Sequence, residues 1–197
     1  MNDPLELVRL IIAGDATAVR DRLRANPELA TTPLPLRASG TQEPFFKEVS
    51  HYMYGGDTPL HMAAVASARS IAELLVFNGA DCRARNRRGA EPLHYASDGR
   101  RSDPEAQTRM IEYLISIGAD PNAVDRSGVA PLHRAVRRRS YAAVRALLDG
   151  GADPRQPNKA GSMPIDLAMK TTGASGSGSP ESHRQQAQIV RLLRERG

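Results

Sequence analysis

Apolar and polar residues alternate with the period of an α-helix in several separate segments of the chain. The segments IAELLVFNG (residues 71–79) and AAVRALLDGG (residues 142–151) each place apolar side chains three and four positions apart. The N-terminal segment LVRLIIAGDATAVRDRLRANPELA, residues 7–30, has the same spacing on both sides of Gly14 and Asp15. This pattern predicts amphipathic helices that each bury one apolar stripe.

One short motif occurs four times between these stripes. The segments DTPLHMAA, AEPLHYAS, VAPLHRAV and SMPIDLAM align without gaps, and their prolines follow one another at intervals of 33, 39 and 33 residues. Because proline suits the first turn of a helix, each motif predicts the start of a further helix. Thr58 can cap the first of these helices, whereas the residues before the later prolines offer a poorer cap. We therefore expect the later units to be less stable locally.

Glycines recur in phase with the prolines. A Gly-Ala-Asp sequence follows the apolar stripe at Gly79, Gly118 and Gly151, where a left-handed residue would end a helix. A second set lies three residues before a proline, in the turn that leads to the next motif, and comprises Gly89, Gly128 and Gly161. The repeating unit is therefore a turn, a helix, a turn, a second helix and a loop.

The 33-residue period, the TPLHMA core at residues 58–63 and the Gly-Ala-Asp exit resemble ankyrin repeats. The resemblance is clear from residue 57 to about residue 158 and weaker at both ends. It implies an all-α solenoid of five helix-turn-helix repeats with short β-turn fingers and a long insertion after the first repeat. Such a stack needs at least about three units to bury a continuous core.

We expect one ankyrin-repeat domain over residues 1–197. Its predicted parts are an N-terminal capping repeat at 1–30, an insertion at 31–56, repeats at 57–85, 86–124 and 125–157, and a C-terminal capping repeat at 158–197.

The resemblance also implies a structural role for the repeated motif residues Thr58, Pro59, His61, Pro92, His94, Pro131 and His133. The three histidines are expected to hydrogen-bond the turn and the neighbouring backbone. They lie one repeat apart, which is too far for a shared metal ion, and no carboxylate or thiolate pattern joins them. We expect no metal site and no cofactor. His51 and His183 lie in atypical segments and have no partner visible in the sequence.

Three segments depart from the repeat. DGRRSDPEA at residues 98–106 and the stretch 171–186 fall between the two helices of their units, and their polar composition predicts solvated loops. The third is the insertion at residues 31–56, which holds Phe45, Phe46, Tyr52 and Tyr54. We expect Phe45 and Phe46 to fold back on the first two repeats. Tyr52 and Tyr54 are expected nearer the open face, where exposed aromatic residues often dominate binding.

The chain is basic, with a net charge of +5 and a sequence pI of about 9.8, and all but three of its basic residues are arginine. In ankyrin proteins the partner is held on a concave face formed by the turn tips and the first helices. Mapped onto this chain, that face also includes Asp57, Val124, Ser162 and Lys170. Together with the insertion, the mapping gives the partner-binding candidates Tyr52, Tyr54, Arg85, Arg87, Arg88, Arg126, Arg137, Arg138 and Lys159.

These features favour a noncatalytic module that binds an acidic protein surface through its concave face. Binding of nucleic acid through the same arginines is the alternative, although the chain has no nucleic-acid module and few available stacking aromatics. No Gly-x-Ser-x-Gly or His-Glu-x-x-His pattern indicates an enzyme. The single Cys82, the absence of a secretory signal and the absence of a long apolar span predict a cytoplasmic protein, which we expect to be monomeric.

Overall fold

The computed structural model describes residues 4–34, 45–99, 103–170 and 180–197. Residues 35–44 of the insertion, residues 100–102 and 171–179 of the two predicted loops, and the side chain of Phe45 lie outside this description. The described residues form ten α-helices: α1 (Pro4–Ala13), α2 (Ala16–Ala25), α3 (Pro59–Val65), α4 (Arg69–Phe77), α5 (Pro92–Ser97), α6 (Pro104–Ser116), α7 (Pro131–Arg137), α8 (Tyr141–Asp149), α9 (Pro164–Met169) and α10 (Pro180–Arg196). A 3-10 helix at Pro27–Ala30 and two strands, β1 (Phe45–Phe46) and β2 (His51–Tyr52), complete them.

The helices form two layers. The odd-numbered helices α1, α3, α5, α7 and α9 each contact the next in this series, and so do the even-numbered helices. Alanines at matching positions of the odd-numbered helices, Ala63, Ala96 and Ala135, are fully buried and allow these helices to pack closely. With strands of only two residues each in the described chain, the predicted all-α repeat class is confirmed.

The four predicted short helices begin at their prolines, since α3, α5, α7 and α9 start at Pro59, Pro92, Pro131 and Pro164. The leucine after the proline is fully or almost fully buried in the first three of them, as Leu60, Leu93 and Leu132. Proline thus fixes where each helix begins, and the apolar residue that follows it fixes which side faces the core.

Histidines connect each unit to the next. In His94, Nδ1 accepts the backbone N–H of Glu91 at 3.1 Å, while Nε2 lies 3.0 Å from the carbonyl oxygen of Val129 in the following unit. Because Nδ1 accepts a hydrogen bond, we assign the ring proton to Nε2, which then donates to that carbonyl. His61 and His133 make the equivalent pairs of contacts, which end on the carbonyl oxygens of Ala90 and Ser162.

The backbone N–H of the residue before the proline is bound in all four units. His61, His94 and His133 accept it through Nδ1, and Asp166 accepts the N–H of Met163 through Oδ2 at 2.9 Å. The hydroxyl of Thr58 lies 2.9 Å from Nδ1 of His61 and adds to the contact that all the units share. This shared bond reduces the difference in stability that we expected between the first unit and the later ones.

The described part of the insertion lies against the stack. β1 and β2 pair antiparallel, with Phe46 opposite His51, and Val49 and Met53 on either side of β2 are buried. Phe46 and Tyr54 are half-buried against the core. The hairpin thereby carries His51 and Tyr54 to the edge of α5.

The prediction of a loop over residues 171–186 was wrong for residues 180–186, because α10 begins at Pro180. The first two turns of this helix are docked on the stack. Gln185 Oε1 accepts the backbone N–H of Tyr141 at 3.1 Å, and Gln186 Nε2 donates to the carbonyl oxygen of Ala168 at 2.7 Å. These contacts join α10 to residues far away in the sequence. The polar composition of residues 180–186 does not reveal such contacts and therefore predicted a loop.

Stability is expected to fall as the pH drops below about 6.5, the ordinary pKa of histidine. Burial lowers the pKa of His61, His94 and His133, and that of His94 falls to about 3. The unfolded chain therefore binds more protons than the folded chain in this window. For His94 alone the loss between pH 7 and pH 5 is about 2 kcal/mol. Urea denaturation followed by circular dichroism at several pH values measures it, and a flat profile from pH 7 to pH 5 would contradict it.

The substitution His94→Ala is expected to lower the free energy of unfolding by about 1–3 kcal/mol, because it removes the hydrogen bonds to Glu91 and Val129. It also removes one titrating ring, so the pH dependence of stability becomes weaker. The matched control is His183→Ala on the exposed face of α10. Equal denaturation midpoints for the two variants would show that the bridge contributes little.

Candidate partner-binding site

The turns that precede α3, α5, α7 and α9, at residues 55–56, 86–89, 125–128 and 158–161, are here called the turn tips. One backbone hydrogen bond joins each tip to the next. These bonds run from Arg87 N to Gly55 O at 3.0 Å, from Arg126 N to Arg88 O at 2.9 Å, and from Lys159 N to Ser127 O at 3.1 Å. The tips therefore form a continuous row in which the basic residues of one unit lie beside those of the next.

A glycine three residues before the proline makes this approach possible. Gly128 has a φ of +72°, and a Cβ atom built on it would lie 2.6 Å from the backbone nitrogen of Lys159. Gly56 and Gly89 occupy the same place in their units, with φ values of +82° and +73°, and a Cβ atom built on either would lie 3.2 Å from the backbone of the next tip. The left-handed backbone and the lack of a side chain are both required here.

Most of the predicted partner-binding side chains are accessible. The exposed ones are Tyr52, Arg85, Arg87, Arg88, Arg126, Arg137 and Lys159, and Tyr54 and Arg138 are half-buried. Arg88, Arg126 and Lys159 follow the row of tips, whereas Arg137 is the last residue of α7. Among the other mapped positions, Val124 and Ser162 are half-buried and Lys170 is exposed.

Arg85 is tied within its own repeat. Its Nε donates to Oε1 of Glu91 at 3.0 Å, and the Glu91 side chain is almost fully buried. Burial raises the pKa of Glu91, and the Arg85 guanidinium offsets part of that effect. Arg85 therefore contributes less free positive charge to the surface than the sequence indicated.

A pocket of about 290 Å³ lies where the hairpin, the tips, α5 and α7 meet. We call it the inner-face pocket. Three of the predicted residues, Tyr54, Arg88 and Arg137, line it together. The Arg88 guanidinium lies 4.0 Å from the centroid of the Tyr54 ring, and that of Arg87 lies 5.6 Å away, both as cation–π contacts. Tyr52 is exposed on β2 and does not line the pocket.

A buried arginine that the sequence analysis missed forms part of the same pocket. Arg134 donates through Nη1 to Asp98 at 2.9 Å and through Nη2 to Asp125 at 3.1 Å. Burial alone would lower the pKa of Arg134, but the two carboxylates together raise it. Burial opposes ionisation of Asp125, yet hydrogen bonds from Val129, Ser127 and Arg134 bring its pKa below the usual value. Arg134 therefore links α7 to the end of α5 and to the third tip.

Beneath the pocket, Asp57 organises the first tips. Its Oδ1 accepts hydrogen bonds from the Tyr95 hydroxyl at 2.6 Å and from Asn86 Nδ2 at 2.8 Å, and its Oδ2 accepts the Tyr54 N–H. The mapping that placed Asp57 on the open face was wrong, because its side chain is fully buried among these donors.

His51 also gains a place in the structure. Its ring lies 4.5 Å from the Tyr95 ring and 6.3 Å from the Tyr54 ring, and its Nε2 is buried with no hydrogen-bond partner in the described chain. Burial lowers the pKa of His51, and Asp98 and Asp57 offset only part of this effect. Only the fold of the insertion brings this residue to the pocket.

Two of the residues that the sequence analysis missed occupy the same position of the repeated motif, and the sequence contained a signal of their role. Tyr95 and Arg134 each follow the motif histidine, where the first full unit has the buried Met62. A hydroxyl or a guanidinium at a buried position must find hydrogen-bond partners. A polar residue directly after the histidine was therefore a signal of a polar cluster on this face.

Among the described residues, no group of three or more metal-ligating side chains is placed to hold an ion. No helix in that part of the chain is long and apolar enough to cross a membrane.

The substitution Arg134→Met is expected to lower the free energy of unfolding by about 3 kcal/mol, because it leaves Asp98 and Asp125 without their cation. The control is Arg145→Met, which removes an exposed pair with Asp149 at 3.8 Å and is expected to cost no more than about 1 kcal/mol. Chemical denaturation of both variants distinguishes them. If they lost equal stability, the Arg134 cross-link would not be a significant support of the inner face.

The central repeats of the chain are similar to a known family of proteins. A search of curated proteins found no match to the chain. The family model for ankyrin repeats in three copies matches residues 60–158, which is half of the chain and includes α4 to α8. The motifs at Pro92 and Pro131 lie within this match, as do the bridges from His61 to Ala90 and from His94 to Val129. The chain therefore belongs to the ankyrin repeat family, as its sequence motifs predicted.

Proposed function

We propose that this chain is a noncatalytic interaction module that binds an acidic surface of a protein partner through its concave face, formed by the turn tips and the odd-numbered helices. Ankyrin repeats are generally protein–protein interaction modules, which supports the general class. The observation that carries the finer proposal is the inner-face pocket, where Tyr54, Arg88 and Arg137 converge.

The charge of this face supports an acidic partner. Arg88, Arg126 and Arg137 are exposed, and no carboxylate of the described residues lies within ion-pair distance of them. Exposed like charges in a row add their fields and speed the encounter with a surface of opposite sign. The backbone bonds between the tips hold this row in register, which favours a partner that spans more than one unit.

We extend the repeat assignment to both ends of the chain. The helix pairs α1/α2 and α9/α10 pack on the matched repeats in the same two layers, which supports five repeats with divergent terminal units. Asp166 replaces the motif histidine in the α9/α10 unit and accepts the N–H of Met163 in its place. We further infer a cytoplasmic monomer, for which the single free Cys82 is in keeping with a reducing compartment.

A triple variant tests the proposed surface. In this variant Arg88, Arg126 and Arg137 are each replaced by glutamate. The matched control makes the same replacement at Arg20, Arg109 and Arg194, which are exposed on α2, α6 and α10. The wild-type chain is first used in its native host for affinity purification and mass spectrometry. We expect the triple variant to associate with the recovered partner about tenfold more slowly or worse, and the control to remain close to wild type.

Two further readouts accompany this comparison. The wild-type association rate is expected to fall as salt rises, because exposed charges are screened beyond about 8 Å at physiological ionic strength. Recovery of the partner is expected to survive nuclease treatment, whereas its loss would favour the nucleic-acid alternative. A triple variant that binds the partner as fast as wild type would rule out the basic face as the recognition surface.

A further inference from the structure

The inner-face pocket holds positive charge that its own carboxylates do not compensate. It is lined by three arginines and two aspartates. Both aspartates are engaged by Arg134, which leaves Arg88 and Arg137 without a carboxylate partner in the described chain. The lining side chains carry one net positive formal charge, and the exposed guanidinium groups of Arg88 and Arg137 are the lining cations that no described carboxylate pairs.

Arg88 is held in place without being neutralised. Its guanidinium lies over the Tyr54 ring at 4.0 Å, and its backbone N–H donates to Asn86 Oδ1 at 2.9 Å. A ring face attracts a cation through its quadrupole and leaves the N–H groups in the guanidinium plane available as donors. Tyr54 from the insertion therefore positions a donor edge beside the pocket.

The two aspartates are poorly placed to attract a cation. Asp125 Oδ1 accepts the N–H groups of Ser127 and Val129 at 2.8 Å and 3.1 Å, and its Oδ2 is bound by Arg134. Arg134 also holds Asp98 at 2.9 Å. Because these donors already offset the charge of the two aspartates, the pocket favours an incoming anion over an incoming cation.

The size of the pocket limits what enters. Its volume of about 290 Å³ falls just below the usual range of about 300–1,000 Å³ for sites that bind small molecules and cofactors. That volume has room for one amino-acid side chain. Tyr54 and, to a small extent, Val129 supply apolar surface that can pack against its methylene groups.

We propose that the inner-face pocket binds a single carboxylate side chain of the acidic partner, with Arg88 and Arg137 donating hydrogen bonds to its two oxygens. The inference rests on the proposed function and identifies the anchor within it. A guanidinium matches a carboxylate in planar, charge-assisted geometry, and this makes the pocket selective for an acid over its amide.

The direct test uses a small probe, because the partner is unidentified. N-acetylglutamate N-methylamide is titrated into the full chain while the Nε–Hε signals of the arginines are followed by nuclear magnetic resonance. We expect the signals of Arg88 and Arg137 to shift together, and the glutamine analogue to bind about tenfold more weakly or worse because it lacks the charge. Equal shifts from the two analogues, or uniform shifts of all exposed arginines, would overturn the proposal.

Variants assign the site. Arg88→Gln and Arg137→Gln are each expected to weaken binding of the glutamate analogue about tenfold, whereas Arg109→Gln, exposed on α6 and outside the pocket, is expected to leave it unchanged. Unchanged circular dichroism spectra establish that all three variants are folded. An equal loss in Arg109→Gln would reduce the effect to general surface charge and contradict the pocket.

Inorganic phosphate is the competing anion, and tighter binding of phosphate than of the glutamate analogue at the same two arginines would overturn the assignment to a carboxylate.

The test is also separable from that of the proposed function. If the analogue failed to bind while the triple glutamate variant still slowed association with the partner, the basic face would stand and the pocket would not be its anchor. If the analogue bound and the triple variant associated normally, the basic face would fail.

Discussion

The stack depends on a neutral imidazole that connects two units at once. His94 accepts an N–H from its own turn and donates to the carbonyl oxygen of Val129, and His61 and His133 repeat this arrangement. The backbone groups involved are buried, where an unpaired N–H or C=O would cost stability. Each unit thereby supplies the hydrogen-bond partner that its neighbour lacks. A protonated ring could not accept at Nδ1, and the same bond that orders the stack therefore makes it sensitive to acid.

The regular part of this architecture could be predicted from the sequence because it is dictated locally. Proline restricts its own backbone and glycine permits a left-handed one, so the starts of α3, α5, α7 and α9 and the turns before them follow from residue type and spacing. The first turns of α10 and the place of His51 were not predicted. Their conformations depend on contacts with residues far away in the chain, such as that of Gln185 with Tyr141. Hydrophobic pattern and composition carry no record of such contacts.

The residues of the candidate site also divide into those that the sequence predicted and those that depend on contacts between distant parts of the chain. Arg88 and Arg137 were predicted because the family mapping gives the direction in which tip and helix positions face. The mapping gives no account of what happens between side chains, so it included Asp57, which is buried, and omitted Arg134, which shapes the pocket from below. The residues that present charge to solvent were thus easier to predict from the sequence than the buried residues that support them. Arg134 pairs with both Asp98 and Asp125, so the two arginines around them are the lining cations without a carboxylate partner in the described chain.

The row of turn tips has a consequence for how such a surface can change over evolutionary time. Neighbouring tips are joined through backbone N–H and C=O groups, and glycines at 56, 89 and 128 provide the room for this contact. The side chains of Arg87, Arg126 and Lys159 take no part in those backbone bonds. Mutation can therefore exchange these side chains while the spacing and direction of the row are conserved. A lineage that keeps the glycines can therefore acquire a new binding preference one codon at a time without changing the backbone contacts between the tips.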